Sequence, residues 1–336
     1  MGMLDIFNND AFSVNELTEA FNVRPNKFGR LQEMNLFPGR GIRTPVAYIE
    51  RKNGVLNLLP TGPRGGPATK GTVGKRDLRP LSVPHIPHED LIMADDVAGV
   101  RRFGTDSEMM NVQELVNEKL SIMSDKHDQT LEYLRWGAVK GQVLDADGTT
   151  VILNLFSEFN VAEEVQNFAL TTAGTEVMSK ILALKRYMEL NLFGDTMSGI
   201  HVFCSSGFFD ALTTHPNVKA AYAQFQTAQP PGNDYRSRFS HGGVTFEEQN
   251  GSAASPDGTI QHFVEADTAR AVPIGTQSMR TYFAPADFIE TVNTPGLPRY
   301  AKQRIIDFDR GVEVHTQSNP LPLCLRPQLL VKLTKS

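Results

Sequence analysis

One long amphipathic stretch, Asp106 to Gly141, most constrains how this chain can fold. Its apolar side chains recur every three or four residues, which is the spacing of one face of an α-helix. Proline is absent from the stretch, and Gly141 supplies a stop signal at its end. Such a helix is roughly 50 Å long. A single apolar stripe of that length needs an equally long partner surface, in this chain or in another one.

The two faces of the predicted helix differ in polarity. The apolar stripe consists of Met109, Val112, Val116, Leu120, Met123, His127, Leu131, Leu134 and Ala138. The opposite face, which we expect to be solvated, carries Glu114, Glu118, Ser121, Asp125, Asp128, Glu132 and Arg135.

Composition excludes several classes of protein. The chain has 336 residues, 40% of them hydrophobic and 21% charged, so it can bury a core. The net charge of -5, without a block of basic residues, argues against a groove that follows nucleic acid. Two cysteines are too few for a disulfide framework or a zinc site. No signal peptide and no run of membrane-spanning length is visible, so we expect a soluble protein made in the cytoplasm.

The N-terminal 36 residues predict an arm with one short helix. Ser13 and Glu16 form a capping box for a helix from Val14 to Phe21. A helix-turn-helix over Leu17 to Leu31 is an alternative, but Pro25 interrupts it and basic residues are few.

Residues 37–92 predict a long protruding ribbon. Strand-like segments Pro45 to Ile49 and Val55 to Leu59 flank a turn signal at Lys52-Asn53-Gly54, and an extended segment returns from Asp77 to Pro87. Between them lies a glycine-rich tip from Gly62 to Arg76. A loop of this length inside a compact domain is uncommon and usually functional. In a free monomer the ribbon would be an exposed strand edge unless another subunit covered it.

The glycine-rich tip has two possible interpretations. Its basic side chains could dock on an acidic partner surface, or the tip could be a solvated loop; these side chains are Arg64, Lys70, Lys75, Arg76 and Arg79. A phosphate-binding loop is excluded, because Thr69 and Arg76 occupy positions where the motif around Gly71 to Lys75 needs glycine and Ser or Thr.

The rest of the chain predicts a mixed α/β region and C-terminal strands. A tight turn at Asp145–Gly148 leads into a strand from Thr149 to Leu155, and a helix capped by Thr171 or Thr172 runs to Leu192. A buried strand over His201 to Ser206 precedes helices over 205–216 and 217–229. Further strands are expected at 243–249, 259–265, 279–283, 311–317 and 328–333, the last two around a connecting segment over 319–327.

No residues form a convincing catalytic or metal constellation. Cys204 has His201, His215 and Asp210 near it in sequence, as a cysteine hydrolase would need, but its strand is apolar and His201 points to the opposite face. The pair His85 and His88 lacks a third ligand. We therefore expect no catalytic, cofactor-binding or metal-binding residue, and keep the hydrolase as the alternative function.

Three collinear blocks resemble the major capsid proteins of lambda-type tailed bacteriophages, the major capsid protein E family. The first block is ADDVAGVRRFGTDSE (Ala94 to Glu108) with its continuation over 119–151. The second is FCSSGFFDALTTHPNVKAAY (Phe203 to Tyr222), and the third is QSNPLPLCLRPQLLV (Gln317 to Val331). The blocks are specific because they keep their order and spacing over most of the chain.

This resemblance implies an α+β fold of the Hong Kong 97 type. It implies an N-terminal arm over 1–36, an extended β loop over 37–95, and a peripheral domain over 96–160 built on a spine helix at about 106–141. It further implies an axial α/β domain over 161–300 and C-terminal strands over 301–336 that return to the core. The arm, ribbon, helix and α/β region read from the residues fall in that order.

The resemblance also implies a function and partners. Copies of the chain would assemble into pentamers and hexamers of an icosahedral shell around double-stranded DNA, which they would contact non-specifically. A separate scaffolding protein, a portal and a decoration protein are implied, with assembly in the host cytoplasm and residence in the virion, and no membrane partner. Besides the basic tip, we expect the loop with Pro230, Pro231, Asp234 and Tyr235 to adapt between the two kinds of ring.

Overall fold

The computed structural model describes Thr18, Asp96 and residues 29–52, 76–93, 112–225 and 235–336. Within them the strands are β1 (Gly39–Gly41), β2 (Val46–Lys52), β3 (Arg76–Ser82), β4 (Ile86–Met93), β5 (Gln142–Leu144), β6 (Val151–Asn154), β7 (Glu164–Asn167), β8 (Gly199–Cys204), β9 (Phe239–His241), β10 (Val244–Glu248), β11 (Ser252–Ala254), β12 (Ile260–His262), β13 (Thr268–Ile274), β14 (Met279–Phe283), β15 (Tyr300–Ile305), β16 (Gly311–Ser318), β17 (Pro320–Cys324) and β18 (Val331–Thr334).

The helices alternate with these strands. They are α1 (Arg30–Glu33), α2 (Val112–Lys140), α3 (Leu155–Phe159), α4 (Val177–Asn191), α5 (Ser206–Thr214) and α6 (Pro216–Phe225). Among the described residues, single-turn 3₁₀ helices occur at Tyr235–Ser237, Ile289–Thr291, Asp307–Asp309 and Pro327–Leu329. The mixture confirms the α+β class.

Helix α2 is the predicted long helix. It covers Val112–Lys140, while residues 106–111 of the predicted span lie outside the described residues. It ends at Gly141, whose φ of +81° belongs to the left-handed region that glycine enters without strain. A Cβ at Gly141 would lie 2.2 Å from the ring of Phe156, so the ring occupies the space that glycine leaves.

The largest sheet has six strands in the order β7-β18-β13-β8-β10-β9. The pairs β8–β10 and β18–β7 are parallel, and β13 runs antiparallel to both of its neighbours. Apolar faces of α4 and α5 cover this sheet with residues such as Ile181, Leu184 and Phe208, which pack in one core with Val202 and Val331. This layer forms the α/β unit of the molecule.

The N-terminal part of α2 packs on a second, three-stranded sheet of order β15-β16-β4. Val116, Leu120 and Met123 of the helix contact Ile92 and Val312 in one apolar cluster. The apolar stripe read from the sequence is therefore buried within the same chain at this end of the helix.

A third core surrounds the C-terminal part of α2. It joins Leu134, Trp136 and Val139 to the sheet β1-β14-β17, to the hairpin β5–β6 and to the root of the ribbon β2–β3. Asp147 closes the hairpin turn by accepting hydrogen bonds from the backbone N–H groups of Thr149 and Thr150, both at 2.9 Å, as the turn signal predicts.

The segment 29–37 ties the other units together. The backbone N–H of Leu31 donates to Glu132 Oε1 on α2 at 2.8 Å, and Arg30 binds Glu247 on β10 at 2.8 Å. A Cβ at Gly29 would lie 2.2 Å from Glu132 Oε2, so only glycine admits this carboxylate. The predicted arm helix over 14–21 lies outside the described residues, except for Thr18, whose hydroxyl accepts from the Ala301 N–H at 3.2 Å.

Several element boundaries and strands differ from the sequence predictions. Helix α4 begins at Val177 rather than after Thr172, because residues 169–175 form a turn held by a hydrogen bond from Thr175 Oγ1 to the Ala169 carbonyl. The sequence predicts no strand at the positions of β1, β7, β9, β11, β13, β15 and β17, and β17 occupies the expected connecting segment over 319–327. Strand β2 continues through Lys52, where a turn was expected.

Candidate inter-subunit surfaces

The root of the predicted ribbon is a two-stranded antiparallel ladder. Strands β2 and β3 pair from Val46 with Ser82 to Lys52 with Arg76, so the chain leaves and re-enters the ladder at adjacent positions. Both strands of this ribbon are edge strands, so some backbone N–H groups face away from the partner strand. Proline is tolerated at such a position because no hydrogen bond between the strands is lost there. The alternation of side chains gives this ribbon two different faces.

One face of the ribbon root is fixed to the body of its own subunit. Ala47, Ile49 and Leu81 are buried and belong to the core around Trp136. The guanidinium of Arg79 lies 5.9 Å from the ring centroid of Phe159, a cation–π distance. The root is thus held rigidly before the chain continues into residues 53–75.

The other face of the root is open. Tyr48, which pairs with Pro80, keeps 58% of its surface exposed. An aromatic side chain with a polar tip suits a protein–protein contact, since tyrosine is enriched at interfaces. This face is the part of the described ribbon that is free to meet another molecule.

The predicted contact residues fall mostly outside the described residues. Arg64, Lys70, Lys75, Pro230, Pro231 and Asp234 lie in undescribed segments, and for Arg76 and Tyr235 the structure describes the backbone alone, as the first residues of β3 and of a 3₁₀ turn. Arg79 is half-buried against its own subunit. Except for Arg79, the assignment of these residues to inter-subunit contacts therefore stays a prediction.

The polar face predicted for α2 is solvated only in part. Asp128, Glu132 and Arg135 are all buried. Asp128 pairs with Arg299 at 3.1 Å, and Arg135 donates to Gln32 Oε1. Burial away from water raises the pKa of Asp128 to about 6, although Arg299 opposes the shift. The expectation of a solvated face is wrong for this half of the helix, because segments distant in sequence supply polar partners.

His127 occupies the apolar stripe as a hydrogen-bonded core residue. Its Nε2 lies 3.0 Å from Thr316 Oγ1 on β16. Burial, together with the positive charges of His88 and Arg299, lowers the pKa of His127 to about 3. The ring is therefore neutral at neutral pH.

Exposed apolar side chains mark further candidate surfaces. Ile289, in a 3₁₀ turn, and Phe308, in the turn between β15 and β16, are 89% and 88% exposed, and Leu190 near the end of α4 is 77% exposed. Isolated exposed apolar residues are common on soluble proteins. These three are notable because each lies at the end of an element, where a neighbouring molecule can reach it.

The thiol of Cys204 has no catalytic environment. It is fully buried, its Sγ lies 3.7 Å from the Val202 carbonyl, and burial raises its pKa well above the usual value. His201 instead binds Glu247 at 2.9 Å, and His215 Nε2 contacts the Thr172 carbonyl at 3.1 Å. A nucleophilic cysteine needs a lowered pKa and a base within reach, so the hydrolase alternative is not supported.

The histidine pair His85 and His88 is engaged by neighbours other than metal ligands. His85 Nδ1 lies 3.0 Å from Gln317 Nε2, and His88 Nε2 lies 3.1 Å from Lys126 Nζ. In the part of the chain that the structure describes, no three His, Cys, Asp or Glu residues are arranged to hold a metal ion. Likewise, none of the helices described here combines the length and apolarity that crossing a membrane requires.

Comparison with known proteins gives concordant findings. A family model described as phage major capsid protein E matches residues 13–335. The major capsid protein of Pseudomonas phage KPP10 is 28% identical over 339 residues, which cover 96% of each chain. That of Salmonella phage Felix O1 (isolate Felix O1-VT1) is 27% identical over 352 residues, 95% of each chain.

Solved structures show the same architecture. The capsid of Ralstonia phage GP4 superposes with a TM-score of 0.52 at 9% identity, covering 93% of this chain and 90% of that one. The mature capsid of bacteriophage PhiM1 gives 0.51 at 13% identity, covering 89% and 84%. At such identities the likeness concerns the fold alone, and these are capsid folds.

Proposed function

The chain belongs to the phage major capsid protein E family, and from that premise we propose that its copies build the shell of a phage head. The observation that carries the proposal is the family match, which extends over residues 13–335 and so includes every described unit. A capsid protein acts through contacts between copies. The proposed shell is icosahedral, is composed of pentamers and hexamers, and encloses double-stranded DNA.

The geometry of the subunit supports this function. The ribbon root is fixed on one face by Ile49 and Leu81 and open on the other at Tyr48. Such a projection can lie on a neighbour without disturbing its own subunit. Many contacts of this kind, each weak, give a stable lattice because every subunit is held by several neighbours at once.

We assign the lateral contacts to the ribbon tip and to the loop before β9. The tip would dock through Arg64, Lys70, Lys75 and Arg76, and the loop with Pro230, Pro231, Asp234 and Tyr235 would adapt between five- and six-membered rings. In this assignment residues 1–36 form an arm, 37–95 the extended loop, 96–160 a peripheral unit, 161–300 an axial unit and 301–336 the returning strands.

The proposal extends to partners and location. Assembly with a separate scaffolding protein, a portal and a decoration protein in the host cytoplasm would lead to the virion, with packaged DNA contacted non-specifically. The role is structural rather than catalytic, and the buried thiol of Cys204 supports that view.

Electron microscopy of the expressed full chain tests the proposal. We expect shells, rings or tubes from the protein alone or with scaffolding protein of a related phage, and the same yield from a Cys204→Ala variant, which removes the thiol without adding a polar group. A monodisperse monomer under every condition would contradict the assembly role. Loss of particles in Cys204→Ala, with the fold intact, would reopen a role for the thiol.

A further inference from the structure

The turn between β15 and β16 presents an aromatic side chain in an unusual conformation. Phe308 has φ +62° and ψ +21°, in the left-handed region that bulky residues rarely enter, and 88% of it is exposed. Exposed Asp307 precedes it and Asp309 follows it in sequence. The Arg310 guanidinium lies 5.4 Å from the centroid of this ring, and the rest of the ring faces water. A strained backbone that presents a phenyl ring to solvent is unfavourable in an isolated subunit and suggests a contact with another molecule.

A cleft of matching character lies at the C-terminal end of α2. It is an open cleft of about 350 Å³ with a mixed lining: Tyr133, Phe156 and Phe263 form an aromatic part, and the rest is largely polar or charged. Trp136 lies beneath, stacked on Phe263 with ring centroids 5.4 Å apart and planes 9° from parallel. These walls suit an aromatic side chain, since ring pairs attract beyond their buried area.

The rim of the cleft carries an excess of positive charge. Arg270 binds Glu163 at 2.7 Å and Glu265 at 2.8 Å, and Lys332 lies 3.5 Å from Glu265. Lys140 has only the His262 carbonyl, at 3.4 Å, and among the described residues no carboxylate lies at ion-pair distance from its amine. The cleft therefore offers one ammonium group that a carboxylate from outside could neutralise.

The turn and the cleft lie at opposite ends of α2. The turn leads into Val312, which packs on Val116 near the start of the helix, whereas the cleft begins at Tyr133. Twenty positions separate Val116 from Trp136, which is about 30 Å along the axis. Phe308 therefore cannot fill the cleft of its own chain.

We propose that the turn Asp307–Asp309 of one copy inserts into the α2 cleft of a neighbouring copy. Phe308 lies against Tyr133, Phe156 and Phe263, and Asp307 lies beside the Lys140 ammonium group. The inference rests on the proposed function, because it requires neighbouring copies. Two complementary surfaces at opposite ends of one rigid helix make a heterologous contact, which closes into rings when the rotation allows.

Cysteine crosslinking within assembled particles tests this contact. A double variant Phe308→Cys with Leu144→Cys places one thiol on the turn and one in the wall of the cleft. Native Cys204 and Cys324 are fully buried and do not compete. Under mild oxidation we expect a ladder of dimers and higher oligomers on a non-reducing gel. The matched control, Leu190→Cys with Leu144→Cys, pairs the cleft with a thiol on α4, where Leu190 is 77% exposed, and should give no ladder.

A charge exchange provides a second measurement that needs no crosslink. Asp307→Lys and Lys140→Glu should each lower particle yield about tenfold, the loss expected for one strong interfacial contact. The double variant should recover most of the yield. Glu189→Lys, on an exposed part of α4, should not rescue Lys140→Glu. Melting temperatures of the free subunits show that each variant folds.

The outcomes separate this contact from the wider proposal. Particles of wild-type morphology without a ladder, or charge variants without mutual rescue, would overturn the contact and leave the assembly role intact. A wild-type chain that never forms particles would overturn both.

Discussion

At the residue scale, Leu120 tests whether the buried stripe of α2 is placed correctly. Leu120 packs among Val116, Met123 and Ile92. We expect Leu120→Asp to lower the free energy of unfolding by several kcal/mol, because a carboxylate without a partner would lie in an apolar seam. Denaturant unfolding of the isolated subunit measures the loss.

Ile122 supplies the matched control on the same helix. It is 49% exposed, so Ile122→Asp places the same new charge in contact with water. That variant should unfold within about 0.5 kcal/mol of wild type. Equal effects of the two substitutions would mean that the assigned face is wrong.

His127 makes the subunit sensitive to acid. Its pKa falls from 6.5 to about 3 on folding. Between these values the unfolded chain binds a proton that the folded chain does not, so stability falls as the pH drops below 6.5. The raised pKa of Asp128, about 6, acts in the opposite sense over part of this range.

A His127→Gln variant isolates the contribution of the histidine, since an amide can keep a hydrogen bond to Thr316. Between pH 6.5 and about pH 4 the slope of its unfolding free energy against pH should be lower than that of wild type by up to ~1.4 kcal/mol per pH unit. Denaturant titrations at several pH values measure this slope. An unchanged slope in His127→Gln would refute the assignment.

The sequence predicts which apolar residues of α2 are buried better than it predicts the polar ones. Periodicity locates Val116, Leu120 and Met123 correctly, because burial of apolar surface repeats with the helix. It fails at Asp128 and Glu132, whose partners Arg299 and Leu31 are remote in sequence. A helical pattern carries no information about which distant group will neutralise a buried charge.

At the element scale, Gly141 determines where α2 stops. With φ at +81° and the ring of Phe156 2.2 Å from the position of a Cβ, Gly141→Ala meets both backbone strain and a clash. We expect a loss of about 2 kcal/mol or more in unfolding free energy. Gly174→Ala is the control, because no atom lies within 4 Å of its added Cβ. Thermal melting of both variants should show a fall in the first alone.

A deletion in the ribbon tests assembly without disturbing the fold of the subunit. Replacing residues 62–75 with a short Gly-Ser linker leaves the ladder from Val46–Ser82 to Lys52–Arg76 in place. We expect a subunit with wild-type melting temperature and a strongly reduced particle yield, measured by sedimentation and electron microscopy. Normal particles would show that the tip is dispensable.

Proline explains why two strands escape prediction. Strand β17 contains Pro320 and Pro322 but lies at the edge of its sheet, where a missing N–H is tolerated. Strand β13 contains Pro273 at a position that pairs only with β8, beyond the end of its ladder with β18. Sequence rules exclude proline from strands because the sequence does not show which positions have no neighbouring strand to accept a hydrogen bond. Helix α2 and strand β14, which have no such conflict, were predicted well.

At the scale of the whole molecule, the free subunit exposes surface that assembly should cover. Leu190, Ile289 and Phe308 are all largely exposed. Because partners bind the folded state and not the unfolded one, subunits in particles should melt at a higher temperature than dissociated subunits. Calorimetry of both samples in one buffer measures the difference. Identical transitions would argue that contacts between copies contribute nothing to stability.

The capsid fold could be read from the three sequence blocks, whereas the turn of Phe308 and the cleft could not. The cleft assembles residues from Tyr133 to Lys332, and only the folded chain brings them together. The sequence around Phe308 shows a phenyl group between two acidic residues, but exposure and backbone conformation give that pattern its meaning.

The segment beginning at Gly29 also determines how a subunit carries tension. Arg30 is bound to the six-stranded sheet through Glu247 on β10, and Leu31 is bound to α2 through Glu132. A pull along the chain from its N-terminal side is therefore divided between sheet and helix within two residues. When such subunits form a shell under outward pressure from its contents, the contacts between copies should therefore break before any single subunit unfolds.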